Sequence, residues 1–147
     1  ETISAAVTAA EVGTLVFATL HSHDAASTLG RIVSSFPQGE QDQARAQLSH
    51  VLLGVVNQTL IPSTQGGRVA AFEVLVSNAA IRNNLRKVDG IPQIRQVMNS
   101  RELGMQTLES HLAELVRNGT ITLADAEYKA RDLGDLRRQL GKDESEW

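Results

Sequence analysis

The sequence predicts an α/β layer in its first half and a purely helical second half. An apolar run over residues 14–20 ends in a polar cluster at His21, a pattern typical of a buried strand in an α/β sheet. Further on, turn-forming residues at 62–67 separate two apolar stretches, which indicates a hairpin. From Asn78 onward, apolar residues recur only at helical spacing, which predicts a small helical bundle.

Local signals justify the elements before the hairpin. Residues 2–11 are rich in alanine and predict a helix that Gly13 ends. After the predicted strand, Asp24 is a suitable N-cap for a helix that reaches about Phe36. A strongly amphipathic helix then starts near Gln41, and its apolar residues continue at helical spacing through Val55.

The remaining elements are two strands and a series of helices. Residues 55–61 and 68–76 are the predicted hairpin strands. Asn78 is a predicted N-cap for a short helix that stops near Gly90. The later predicted helices cover residues 92–100, 105–118 and 122–133, with Thr122 and Asp125 in a capping box, and a charged tail begins at residue 141.

Composition limits the possible functions of the chain. Its 147 residues are 41% apolar, and its net charge of -3 gives no basic field that would favour nucleic acid. No apolar stretch approaches the roughly 20 residues needed to span a bilayer, so no membrane insertion is expected. The absence of cysteine excludes disulfides and thiolate zinc sites and fits a cytoplasmic origin. Because the first residue is Glu1, we expect a fragment or a processed product.

Several motifs together resemble one family of motor ATPases. Those near the start resemble the stretch after the Walker B strand and the histidine box of the type II and type IV secretion ATPases. A later motif resembles the AIRNLIR sequence of the type IV pilus retraction ATPases, the PilT family. The stretch after the Walker B strand is matched by Glu1-Thr2-Ile3 and Thr8-Ala9-Ala10-Glu11, and the histidine box by Thr19-Leu20-His21-Ser22. The later motif is Ala80-Ile81-Arg82-Asn83 with Leu85-Arg86, and Gly104-Met105-Gln106-Thr107-Leu108 resembles the family's C-terminal helix.

The resemblance implies a cytoplasmic motor at the inner face of the inner membrane. Family members are RecA-like homo-hexamers that bind ATP and Mg²⁺, contact the inner-membrane pilus platform protein, and drive pilus retraction and twitching motility. Residues 1–77 would be the C-terminal part of the RecA-like P-loop NTPase core, residues 78–140 an all-helical subdomain, and residues 141–147 a tail.

The chain has no GxxxxGK[ST] motif, so it lacks the phosphate cradle that the chemistry requires. The resemblance places that loop and the catalytic glutamate upstream of Glu1, so no catalytic residue is expected here. We therefore predict that the chain alone neither binds ATP tightly nor hydrolyses it.

The resemblance assigns a nucleotide-sensing role to His21, whose imidazole could donate a hydrogen bond to a γ-phosphate oxygen. Thr14 stands where the family often has a second histidine and keeps a hydroxyl donor. The alternative is a strand-end histidine bonded to local backbone. His21, His23 and Asp24 could be read as a metal triplet, but no distant ligand is evident and no metal is expected. The other two histidines, His50 and His111, are expected at the surface or at an edge.

The AIRN-like motif is expected to couple domains or subunits. Its basic residues Arg82 and Arg86 lie one helical turn apart, and the alternative is a solvated basic face. Ile81 and Leu85 are expected to pack in the core. Ala80 and Asn83 complete the motif, and Asn84 departs from the family's apolar residue.

Three rival functions remain open. The chain could be a related pilus-extension or secretion ATPase, but such proteins usually carry a four-cysteine zinc insertion where this chain has only residues 62–67. It could also be a non-catalytic assembly or docking module that uses the helical part. A helical DNA-binding protein is disfavoured by the net charge and by the scarcity of aromatic residues.

Overall fold

The computed structural model describes residues 2–99 and 104–141. The predictions for Glu1, Ser100 and residues 142–147 lie outside these ranges. Short 3-10 turns lie at Gln38–Glu40 and Ile91–Gln93. The helices are α1 (Thr2–Glu11), α2 (Ala25–Ser34), α3 (Gln41–Val51), α4 (Ala79–Arg86), α5 (Ile94–Met98), α6 (Leu108–Arg117), α7 (Leu123–Lys129) and α8 (Leu133–Leu140), and the strands are β1 (Gly54–Pro62) and β2 (Arg68–Val76).

The three predicted N-caps are confirmed. The side chains of Asp24, Asn78 and Thr122 each accept a hydrogen bond from the backbone N–H three residues on, at 2.6, 2.9 and 3.1 Å. Each bond satisfies one of the backbone donors that the first turn of a helix leaves without an intrahelical partner. The starts of α2, α4 and α7 are therefore fixed by local sequence.

The predicted hairpin is also confirmed, as a two-stranded sheet of β1 and β2. Its turn uses positive φ angles at Gly66 (91°) and Gly67 (71°), which side chains other than glycine rarely adopt. Helix α3 ends at Val51 because the chain becomes extended at Leu52. The apolar residues predicted to continue this helix through Val55 thus extend beyond its end. Val55 therefore lies in β1.

The predicted strand over residues 14–20 is wrong in this structure. The segment is in no helix or strand, and Leu15 and Phe17 are 64% and 89% exposed. No hydrogen bond to the backbone of residues 15–20 is formed within the described part of the chain. A strand must pair its backbone hydrogen-bonding groups with a neighbouring strand, which an apolar sequence alone does not provide. The described residues contain no strand next to this segment.

The chain divides into two compact units, and both hairpin strands contribute residues to each. The first unit comprises the described residues of Glu1–Val55 and Leu75–Met105. The second comprises those of Val56–Val74 and Gln106–Trp147. This division follows packing within the chain, whereas the boundary proposed at residue 77 concerns a core and a subdomain of a longer protein and stays a prediction.

Each unit has an aliphatic core, as the scarcity of aromatic residues predicts. In the first unit α3 packs against α1, α2 and α4, and in the second α6 packs against α7 and α8. The first core consists of Ala25, Leu29, Val33, Leu48, Leu75, Ile81, Leu85, Ile94, Met98 and Met105. The second consists of Ile61, Ala71, Leu108, Leu112, Ala113, Leu115, Ile121, Ala126 and Leu136.

A buried acid organises the second unit, and no sequence signal pointed to it. Glu109 in α6 is only 1% exposed, and its Oε1 accepts hydrogen bonds from the backbone N–H groups of Arg131 and Asp132, at 2.9 and 3.1 Å. The Arg131 side chain pairs with buried Glu73 of β2 at 2.9 Å. These contacts tie the link between α7 and α8 to α6 and to β2.

The outer edge of β2 is closed by side chains. The backbone N–H of Phe72 donates to Nδ1 of His111 at 2.9 Å, and the Gln106 amide donates to the Phe72 carbonyl at 2.8 Å. Gln106 also pairs its backbone with Val74. His111 was expected at a surface or an edge, and it is half-buried at this sheet edge, where its acceptor nitrogen replaces a strand partner.

Candidate functional site

His21 lies in the four-residue segment that enters α2, and its side chain is exposed. The imidazole has no hydrogen-bond partner among the described residues. Its backbone carbonyl instead accepts a hydrogen bond from Nη1 of Arg31, ten residues further along. The alternative of a ring bonded to local backbone is therefore not what the structure shows, because the ring nitrogens are available for a ligand.

The rest of this segment is bonded to α2. The Ser22 and Thr28 hydroxyls lie 2.5 Å apart, and Thr28 also donates to the Asp24 carbonyl at 2.7 Å. Asp24 and Ser27 form a reciprocal capping box. Thr28 is only 6% exposed, so the contact with Ser22 is sheltered from water. Helix α2 thus presents His21 from a hydrogen-bonded turn.

Thr14, the second predicted sensing residue, is exposed in the turn after α1. Its backbone N–H donates to the Ala9 carbonyl at 3.1 Å. Residues 15–20 lie between it and His21 in the sequence, and no hydrogen bond joins the two within the described chain. The sensing role expected of Thr14 together with His21 therefore stays a prediction.

The described residues contain no group of three or more His, Cys, Asp or Glu side chains that could hold a metal ion. The proximity of His21, His23 and Asp24 in sequence does not produce such a group. The chemistry available at His21 is therefore that of a single imidazole, which can donate a hydrogen bond to an anionic oxygen.

Two adjoining surface depressions lie in the first unit, with volumes of about 490 and 220 Å³. Glu40 borders both, and none of the described residues that line them is basic, so the described lining offers no cationic group that would bind phosphate. They are lined by Thr2, Ile3, Ser4, Ser35, Phe36, Pro37 and Glu40, and by Ser4, Thr8, Phe36, Glu40, Gln43 and Gln47.

The AIRN-like motif forms α4 and divides into a buried and an open side. Ile81 and Leu85 are fully buried in the first core, as expected. Ala80 and Asn83 are exposed, and Arg82 is half-buried. The helix is followed by buried Gly90, which packs directly against the Asn84 carbonyl.

Arg86, at the end of α4, is exposed but anchored. Its Nε donates to Oγ of Ser49 at 3.0 Å, and Ser49 is completely buried in α3. Ser49 in turn donates to the Ala46 carbonyl at 2.7 Å. One end of the guanidinium is thus fixed, while the side chain as a whole remains on the surface.

Comparison with known proteins identifies close relatives along nearly the whole chain. A twitching motility protein of Neisseria gonorrhoeae is 45% identical over 134 residues, 90% of this chain and 36% of the relative. The type IV pilus retraction ATPase PilT of Pseudomonas aeruginosa is 44% identical over 131 residues, 89% of this chain and 38% of the relative. No protein-family model matches the chain.

Solved structures share the fold. A crystal structure of the pilus retraction motor PilT with bound ADP matches with a TM-score of 0.80 and 42% identity, over 93% of this chain and 38% of that one. The ATPase DotB of Yersinia pseudotuberculosis matches with a TM-score of 0.75 and 26% identity, over 87% of this chain and 33% of that one. These likenesses confirm the predicted fold class, a RecA-like α/β core region followed by helices.

The chain spans little more than a third of the length of these relatives, 36% and 38% of the first two. Among the described residues, no helix combines the length and the apolarity that crossing a membrane requires. Sequence and fold together confirm the resemblance that the motifs indicated: the chain is similar to the C-terminal region of the PilT-type pilus retraction ATPases.

Proposed function

We propose that the protein to which this chain belongs hydrolyses ATP, with Mg²⁺, to power pilus retraction and twitching motility. The observation that carries the proposal is the match to an ADP-bound retraction motor, at 42% identity over 93% of this chain. The phosphate-binding loop and the catalytic glutamate would come from the part of the relatives that this chain does not span. By itself, this chain is expected to bind ATP weakly and to hydrolyse none.

In this proposal His21 senses the γ-phosphate. Support comes from its exposed ring, whose nitrogens have no partner in the described residues, and from the hydrogen-bonded turn that carries it. Residues 14–20 would pair as an interior strand of the complete core, which would bury Leu15 and Phe17 and bring Thr14 into the same sheet.

Helix α4 is proposed to couple nucleotide turnover to motion. It packs Ile81 and Leu85 against the first core and leaves Arg82 and Arg86 accessible to another domain or subunit. A homo-hexamer at the cytoplasmic face of the inner membrane, in contact with the pilus platform protein, is the corresponding assembly. The short turn between β1 and β2 and the absence of cysteine favour retraction over extension.

A chimera tests this function. This chain replaces the matching region of the Pseudomonas aeruginosa retraction ATPase, and ATP hydrolysis and twitching of a strain lacking the enzyme are measured. We expect the chimera to hydrolyse ATP and restore twitching, and the isolated chain to do neither. Hydrolysis by the isolated chain would place the nucleotide site elsewhere, and a folded chimera that binds no ADP would refute the proposal.

Single substitutions at His21 and Arg82 of the chimera test the sensing role of the first residue and the coupling role of the second. His21→Ala should lower ATP turnover but keep ADP binding, and the control His50→Ala, at another exposed histidine, should change neither. Arg82→Ala should impair twitching more than hydrolysis.

If the chimera is inactive but the isolated chain binds pilus-base proteins through α4, the chain is a docking module.

A further inference from the structure

We propose that Arg31 is the positioning residue of His21, an inference that rests on the nucleotide-sensing role proposed above. Arg31 extends from the exposed side of α2, and its Nη1 donates to the His21 backbone carbonyl. This hydrogen bond is charge-assisted, because the guanidinium is a permanent cation. Its effect is to fix the main chain of the residue whose ring is to meet the ligand.

The position of His21 depends on α2 because the residues that precede His21 do not anchor the segment. Within the described chain, the backbone of residues 15–20 forms no hydrogen bond, and Leu15 and Phe17 are largely exposed. The pairing of Ser22 with Thr28 holds the side chain of the next residue, and Arg31 holds the backbone carbonyl of His21 itself.

Arginine suits this task better than lysine. Its planar guanidinium carries five N–H donors in a fixed geometry, so one edge can hold a carbonyl while the others stay hydrated. A lysine ammonium is a compact charge on a flexible stem, and more side-chain entropy would oppose the same contact. We therefore expect Arg31→Lys to retain part of the effect and Arg31→Ala to lose it.

Order in the segment can be measured in this chain directly. The ¹⁵N–¹H heteronuclear NOE of the His21 and Ser22 amides reports motion on the picosecond to nanosecond timescale. We expect Arg31→Ala to reduce both values toward those of residues 15–20, and Arg68→Ala, at an exposed arginine of β2, to leave them unchanged. Unchanged order at His21 in Arg31→Ala would overturn the proposal.

Enzymology in the chimera gives a second, independent readout. Arg31→Ala should lower kcat for ATP by roughly tenfold, since small displacements of an aligned group have effects of this size or larger, and should leave ADP affinity unchanged. Combined with His21→Ala, it should cause no further loss, because the arginine then positions a ring that is absent.

The outcomes separate this inference from the proposed function. If His21→Ala leaves turnover intact, the sensing role fails, while the NOE measurement still reports whether Arg31 orders the segment. If His21→Ala lowers turnover but the two substitutions are additive, Arg31 acts on stability alone and the positioning role is refuted. Partial recovery of kcat in Arg31→Lys is the expected confirmation.

Discussion

Replacing Gly90 with alanine should destabilise the first unit through a clash with backbone. Gly90 is buried after α4, and a Cβ added there would lie 2.0 Å from the Asn84 carbonyl oxygen and 2.7 Å from its carbon. Its φ of -83° is ordinary for any residue, so the effect is purely steric. The obstacle is main chain, which no change of rotamer can move aside.

The size of the effect follows from that distance. Carbon and oxygen atoms normally approach to about 3.3 Å, so the Asn84 peptide must retreat by more than 1 Å. Overpacking of this kind costs about 1–3 kcal/mol, and we expect the upper end because α4 must shift as well. Gly30 is the matched control, since it lies inside α2 with no atom within 4 Å of an added Cβ. Alanine there should stabilise by about 0.5–1 kcal/mol.

Urea unfolding of both variants, followed by circular dichroism, tests this reasoning. Gly90→Ala should lower the free energy of unfolding and Gly30→Ala should raise it, although both make the same chemical change. Amide hydrogen exchange in α4 should show where the loss occurs. If Gly90→Ala is as stable as the unmodified protein, the described approach of Gly90 to Asn84 is incorrect.

Three further predictions concern the same unfolding experiment. Leu85→Ala removes a fully buried side chain of α4 and should cost about 2–5 kcal/mol; a loss below 1 kcal/mol would contradict its place in the core. Glu109→Ala leaves two backbone donors without their acceptor and should cost about 2 kcal/mol or more, whereas Glu114→Ala, at an exposed acid of the same helix, should stay within about 0.5 kcal/mol. Asn78→Ala removes the cap of α4 and should cost about 1 kcal/mol, measurable also as faster amide exchange in its first turn.

Structure that is decided locally was predictable from the sequence. The caps at Asp24, Asn78 and Thr122 were predictable because an N-cap needs only a short polar side chain and the next three residues. The hairpin was predictable because its glycines permit a turn that other residues resist. The burial of Ile81 and Leu85 followed from helical spacing alone.

Structure that depends on distant partners was not predictable from the sequence. The apolar run at residues 14–20 predicts burial, but pairing requires neighbouring strands that this chain does not supply in its described residues. Glu109 and His111 act through backbone groups more than 20 residues away, at Arg131 and Phe72, and no spacing rule connects such positions.

The candidate site shows the same division. His21 was a candidate because of its motif, whereas the contact of Arg31 was not predictable because its acceptor is a main-chain carbonyl. Any type of residue can accept a hydrogen bond at its backbone carbonyl. No pair of residue types in a single sequence therefore reveals such a contact. The coupling role expected of Arg82 and Arg86 stays a prediction.

The turn between β1 and β2 has an evolutionary consequence. Thr64 donates from its backbone to the Thr120 carbonyl at 3.0 Å and from its hydroxyl to the Gly119 carbonyl at 2.7 Å. In a lineage with a longer turn these hydrogen bonds would be lost, and the two carbonyls that follow α6 would require new donors. Insertions that persist at this turn should therefore have an ordered structure of their own, held for example by a metal site or a disulfide. Unordered loops of intermediate length should be rare among descendants of this chain.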